Sequence, residues 1–160
     1  MSTYIGIDPG KTGGIASIKD GRPATVRMPR LDSVIRDTLE PLVCQPDVFV
    51  TIEKQQGRPN MRGVNRLMEH YGFLRGLLEA WRVRYEAISP QRWQKVMLAD
   101  MPETDYPGRK KQAKEIAERL FRLGRITHGE SDGLLLAEYG RRKWQGAAPE
   151  EVVLQEASAK

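Results

Sequence analysis

The sequence predicts a single α/β domain, a sheet flanked by helices, and three observations lead there. Short apolar runs of strand length recur at residues 4 to 7, 13 to 18, 24 to 28 and 48 to 52. Stretches with apolar residues at i, i+3, i+4 and i+7 separate and follow them. Two of the buried-looking runs stop at a carboxylate, Asp8 and Glu53. At 160 residues and 39% apolar content the chain can build one core of ordinary size, and no second domain is expected.

The first two runs lie in YIGIDPGKTGGIASI, residues 4 to 18, separated by Pro9-Gly10. Asp20-Gly21 then gives a two-residue hairpin signal before the third run, so the chain should open as an antiparallel meander. Residues 31 to 43 place Leu31, Val34, Ile35, Leu39 and Leu42 near helical spacing, with Pro41 marking a break or a tight end. Val48 to Ile52 is an almost unbroken apolar strand that stops at Glu53 and enters a polar, glycine-containing loop.

From Val64 to Trp81 the apolar residues fall at helical spacing, interrupted at Gly72 and Gly76. YEAISP is a fifth short strand, followed after Pro90 by helical turns in which Trp93, Val96 and Met97 share a face. Residues 100 to 109, with two prolines and a glycine, read as an exposed loop. A helix with Ala113, Ile116, Ala117, Leu120 and Phe121 on one side is expected from Lys110, and a last one from about Ser131 to Trp144. The tail GAAPEEVVLQEASAK is acidic, rich in small residues and expected to be partly disordered.

The 26 basic residues outnumber 21 acidic ones, giving a formal charge of +5 and a pI of about 9.5, a tilt toward a polyanionic partner. Cys44 is the one cysteine, expected as a half-buried reduced thiol, and with only two histidines a disulfide framework or a zinc finger is excluded by counting. The N-terminus lacks a basic leader with an apolar segment behind it, and no run approaches the roughly 18 apolar residues of a membrane span. The expected location is the cytoplasm.

Asp8, Glu53 and Asp132 are the candidate chemistry. If the first and fourth strands are parallel neighbours, Asp8 and Glu53 emerge at one edge of the sheet, where open α/β folds place their sites. Asp132 sits at the start of the last helix, in RITHGESDGLLLAEYG. Each acid has a plainer reading: Asp8 initiating a turn, Glu53 pairing with Lys54 at the surface, and Ser131 or Asp132 capping a helix. Together, three acids at three element ends would repel unless a hard divalent cation such as Mg²⁺ sits among them. Two such ions about 4 Å apart can activate a water and stabilise the leaving oxygen at phosphorus, so the pattern points to metal-dependent phosphodiester hydrolysis.

GIDPGKTGGIA, TIEKQQGRPN, and KKQAKEIAERLF followed by HGESDGLLLAEYGRR, in this order and spacing, resemble the RuvC family of Holliday-junction resolvases, in particular its phage-type branch, within the ribonuclease H-like superfamily. The resemblance covers roughly residues 3 to 142. It implies a ribonuclease H-like fold with a central mixed five-stranded sheet, its first three strands antiparallel, occupying residues 1 to 146 and leaving 147 to 160 as the tail. It further implies Asp8, Glu53 and Asp132 as ligands of two Mg²⁺, with Mn²⁺ as substitute, and paired nicks that leave 5′-phosphate and 3′-hydroxyl ends. His128, four residues before Asp132, would be a fourth metal-binding and catalytic residue, with Glu130 as competitor and a plain solvated histidine as the alternative. A bacterial or phage origin is implied in the same way.

Two features depart from the family pattern. Members often carry an aromatic residue shortly after the strand-end glutamate, stacked at the junction crossover, whereas KQQGRPNMRGVNR has none and would rely on Arg58, Met61 or Arg62. Gly129 stands where some members have an acid. Two basic clusters bracket the acids: Lys54, Arg58, Arg62 and Arg66 near Glu53, and Arg109, Lys110, Lys111 and Lys114 before Asp132. Either could hold DNA phosphates, though the second is equally the solvated face of a helix.

Symmetric cutting of a four-way junction calls for a homodimer. The helix 64 to 81 is the candidate interface, with Gly72 and Gly76 permitting close packing unless they only seat the helix on its own sheet. Two rival functions remain: another ribonuclease H-like nuclease acting on hybrid or branched and flap DNA, and a catalytically silent junction-binding protein.

Overall fold

Alternating apolar runs and amphipathic stretches assemble, in a computed structural model that describes residues 2–57, 63–99 and 106–145, into a five-stranded mixed sheet with helices on both faces. In chain order the elements are β1 (Thr3–Asp8), β2 (Gly14–Lys19), β3 (Arg22–Arg27), α1 (Asp32–Val43), β4 (Val48–Glu53), α2 (Val64–Ala80), β5 (Tyr85–Ile88), α3 (Pro90–Met97), α4 (Tyr106–Phe121) and α5 (His128–Trp144). The strand order is β3-β2-β1-β4-β5. β1, β2 and β3 pair antiparallel, while β4 and β5 run parallel to β1, as the α1 and α2 crossovers require.

The β2–β3 hairpin closes at Lys19 and Arg22 through Asp20 and Gly21. Both have positive φ, 50° and 73°, the geometry of a turn whose twist matches the flanking strands. Pro41 falls in the last turn of α1, which ends two residues later.

Period-two alternation sorts the strand residues between two cores. Ile5, Ile7, Val48, Val50 and Ile52 pack with Ile35 and Leu39 of α1 and with Tyr71, Leu74 and Leu78 of α2. On the other face Ala16, Ile18 and Ile88 meet Trp93 and Met97 of α3, Ala113, Ile116 and Ala117 of α4, and Leu134 to Ala137 of α5. Tyr4, Gly6 and Asp8 of β1 alternate with Ile5 and Ile7 and therefore point toward this second layer.

Helix α5 lies unusually close to the sheet. A Cβ on Gly6 would overlap the Gly133 carbonyl oxygen, and one on Gly14 would come within 2.6 Å of the Gly129 oxygen. Gly13 and Gly129 form an isolated parallel bridge, and further along a Cβ on Gly140 would stand 2.6 Å from Thr51 Oγ1. Small residues on both surfaces let the helix cross β2, β1 and β4 backbone to backbone.

Several expectations change. α4 begins at Tyr106, so 106 to 109 are helical rather than loop, while 100 to 105 lie outside the described residues, as does the tail from 146. Pro107 is accommodated because the first helical turn needs no intrahelical N–H donor. α5 begins at His128, not Ser131, and Cys44 is exposed rather than half-buried. Gly72 and Gly76 do not seat α2 on its sheet: both face open space, and the apolar face of α2 is spent on its own core. Val96, expected to share the apolar face of α3, is exposed. Among the described residues no helix is long and apolar enough to cross a membrane.

Gly6→Ala is expected to destabilise the fold by about 2 kcal/mol or more, because the methyl group has no room without displacing α5. Gly72→Ala, with a free helix surface around it, should instead stabilise by about 0.5–1 kcal/mol. Urea denaturation of the two variants beside the parent chain tests the contrast.

Candidate carboxylate site

Asp8 ends β1 and Glu53 ends β4, one step beyond the paired residues Ile7 and Ile52, so the two acids leave neighbouring parallel strands at the same edge. Asp132 arrives from above, one residue before the Gly133 that touches Gly6. Three separate elements therefore bring the three predicted acids to one place, on the face covered by α3, α4 and α5.

Their electrostatics follow from that placement. Burial, then repulsion from Glu53 and Asp132, holds the Asp8 carboxyl well above its ordinary range. Burial raises Glu53 against the opposing effect of two hydrogen bonds. Burial and the Glu53 charge push Asp132 up to about 7. The ammonium group of Lys110, half-buried on α4, acts on all three in the opposite direction. Lys110, expected among the DNA contacts, is thus also the local counter-charge of the acids.

Glu53 is held from two sides. The Trp93 indole N–H donates to Oε2 at 2.8 Å and Gln55 Nε2 donates to Oε1 at 3.0 Å, so both oxygens face partners other than Lys54. Trp93 is fully buried, and its ring packs in the core while its polar atom reaches the site. Sequence reasoning placed Trp93 on an apolar face and missed this second role. No local pattern carries it, since the partner lies 40 residues earlier and meets it through sheet order.

The start of α5 separates His128 from Glu130. Thr127, not Ser131 or Asp132, is the N-cap: its hydroxyl accepts from the Glu130 N–H, while Glu130 Oε2 accepts from the Thr127 N–H at 2.9 Å and hydroxyl at 2.6 Å. Glu130 Oε1 accepts from Thr25 on β3 at 3.1 Å, and Arg27 lies 3.6 Å away. Burial alone would raise Glu130, but the Thr127 and Thr25 hydrogen bonds and Arg27 bring it below its ordinary value. Its carboxylate is committed to the cap. His128, exposed in the first turn, lies one turn before Asp132 and so shares its helix face. Capping of α5 is thus complete without Asp132. Gly129 cannot be exchanged for an acid here, since any side chain would run into the Thr12 and Gly13 backbone.

The basic clusters are less uniform than their spacing suggests. Lys111 and Lys114 pair along α4 with Glu115 at 3.9 Å and Glu118 at 3.8 Å, while Arg109 and Lys54 are exposed. Arg66 lines a cavity beside the loop that follows Asp8. Arg58, Met61 and Arg62 lie outside the described residues.

Carboxylate oxygens, with His128 one turn before Asp132 on α5, suit a hard, oxygen-seeking divalent cation rather than a soft one. Among the described residues no three Asp, Glu, His or Cys side chains come together closely enough to hold a metal ion as they stand, so the acids are related here by charge and shared burial.

No protein-family model matches the sequence, and no curated protein matches it. The fold does have solved counterparts. T. thermophilus RuvC in complex with Holliday junction substrate aligns with a TM-score of 0.63 at 14% identity, over 90% of this chain and 95% of that one. A second T. thermophilus RuvC structure aligns over the same shares at 0.56 and 14%. The mixed sheet with its first three strands antiparallel is the ribonuclease H-like fold of those proteins, as the motifs implied.

Because the three carboxyls are raised, the folded chain keeps protons that the unfolded chain releases. Between the ordinary carboxylate range and about pH 7, a rise in pH should therefore lower stability. With chelator present, Asp132→Asn should be more stable than the parent by on the order of 1–3 kcal/mol at pH 8 and show little gain near pH 4. Urea midpoints at the two pH values decide this; equal gains at both would refute the electrostatic account.

Proposed function

We propose that the chain is a structure-selective endonuclease that resolves four-way (Holliday) DNA junctions by paired symmetric nicks, hydrolysing phosphodiester bonds and leaving 5′-phosphate ends. The observation that carries this reading is the gathering of Asp8, Glu53 and Asp132, from two strands and a helix, into a half-buried site with Lys110 beside it. The fold likeness to a RuvC in complex with a Holliday junction substrate supports the substrate class. Recombination and repair of DNA are the processes such an activity serves.

Asp8, Glu53 and Asp132, with His128, would hold two Mg²⁺, or Mn²⁺ in their place. Bound there, such ions would supply an activated water and stabilise the leaving oxygen. The chain's own residues do the rest. Trp93 and Gln55 fix the direction of Glu53. Lys110 offsets part of the repulsion that opposes bringing a phosphate to three carboxylates. Lys54, Arg66, Arg109, Lys111 and Lys114, with Arg58 and Arg62, would hold phosphates on either side of the scissile bond. Lys111 and Lys114 need only exchange long ion pairs, one exposed and one half-buried, for phosphate contacts.

Two opposed cuts need two sites related by a two-fold axis, hence a homodimer. The outward face of α2, with Met68, Gly72 and Gly76, is the surface we assign to it, since the inward face is already buried. Residues 1 to 146 would form the nuclease unit and 147 to 160 its tail.

A labelled synthetic four-way junction, beside linear duplex and an RNA–DNA hybrid, with Mg²⁺ or EDTA, tests the proposal. Paired nicks that require Mg²⁺ and disappear in Asp8→Asn, with junction binding retained, are expected. Preferential hybrid cutting would favour another ribonuclease H-like activity, and binding without cutting any substrate would leave a junction-binding protein.

A further inference from the structure

A cavity of about 890 Å³ opens beside the carboxylate site, between the loop after β1, the loop before α1 and the first turns of α2. It shares the loop of Asp8 but none of the three acids. Ile35, Leu67 and Phe73 give it an apolar floor. Lys11, Arg30 and Arg66, all exposed, supply three positive charges around it.

Two carboxylates, Asp32 and Glu69, also line it, which argues against a simple track for a phosphate backbone. Carboxylates repel phosphate but accept hydrogen bonds from the exocyclic amines of bases. His70 Nδ1 accepts the Gly10 N–H at 2.9 Å, which places the imidazole's own proton on Nε2, a donor for a base or a phosphate oxygen. An apolar floor, a few polar groups of both kinds and a cationic rim, in a volume within the usual range of about 300–1,000 Å³, match a pocket for one nucleotide.

From this lining we infer that the cavity takes one unpaired nucleotide of the branched DNA, its base against Phe73 and Leu67 and its phosphates at Lys11, Arg30 and Arg66. The inference rests on the proposed DNA-cleaving reading and adds to it a source of sequence preference at the cut. A base beside the exchange point of a junction has lost stacking on one side and costs less to extrude than one within a duplex. Gly10 lies two residues from Asp8, so a nucleotide held here sets which phosphate reaches the acids. Asp32 and Glu69, both in the lining, would favour bases carrying an amino group over thymine.

The test walks a single abasic site through the positions around the exchange point of a synthetic junction, with affinities measured in EDTA by fluorescence anisotropy. For the parent chain, one position should cost about tenfold in affinity, the scale of one lost base stack. Leu67→Trp, which fills the cavity, should bind the intact junction about as weakly as the parent binds the abasic one and ignore the abasic site. Arg30→Glu, at an exposed position, should weaken binding of every junction and flatten the salt dependence. Junction binding with no sensitive position in the parent, or with both variants keeping its full profile, overturns the inference while leaving the junction-cleaving reading in place. A parent chain that neither binds nor cuts branched DNA overturns both.

Discussion

Everything at the site depends on how closely α5 approaches the sheet. A helix normally packs on a sheet through side chains, and those side chains set the separation. Here Gly129 and Gly133 on the helix meet Gly13, Gly14 and Gly6 on the sheet, so main chain lies against main chain. The helix is thereby pressed onto the C-terminal end of β1, and Asp132, next to Gly133, is delivered to Asp8. With larger residues in this seam, the third acid would stand further off whatever its own identity.

That closeness has an electrostatic cost. Asp8, Glu53 and Asp132 lose water and feel one another, and all three carboxyls are raised. The fold tolerates this because the surroundings are otherwise well satisfied: Trp93 and Gln55 donate to Glu53, Lys110 adds a positive charge, and the start of α5 closes its own capping box. A half-buried cluster of carboxyls that resist ionising together is a poor contributor to stability, and a divalent cation would relieve the same repulsion. The two properties have one origin, which is why a change that relieves the repulsion is expected to help the fold and harm the chemistry.

Much of this was legible in the sequence. Asp20-Gly21 specified its hairpin because both residues tolerate positive φ, and Asp8 and Glu53 stood out because each ended a run too apolar to need a carboxylate. The beginning of α5 was misread. Ser131 and Asp132 are good capping residues, but Thr127 and Glu130 make the reciprocal pair, and two overlapping signals three residues apart cannot be ranked without knowing which backbone is already helical. α4 was shortened for a related reason: Pro107 reads as a breaker, yet a first turn accepts it. Trp93 was invisible as a site residue, since its indole meets Glu53 only through the β4–β5 pairing that carries α3 into place. Nor does spacing distinguish Gly72 and Gly76, which face open space, from Gly129 and Gly133, which touch the sheet; that distinction lies in what faces the helix.

The loop between Asp8 and Gly14 joins these threads. On one side Gly13 bridges to Gly129 of α5, and on the other the Gly10 N–H is held by His70 of α2. Between them the Gly13 N–H closes a turn on the Gly10 carbonyl, with Gly10 at a φ of 112° that a side chain would resist. A loop of glycines is ordinarily a flexible connection. Tied at both ends to helices on opposite faces of the sheet, this one becomes a fixed wall, with the carboxylate site on one side and the α1–α2 cavity on the other. The residues that make it deformable in isolation are the same ones that let it be gripped by backbone alone.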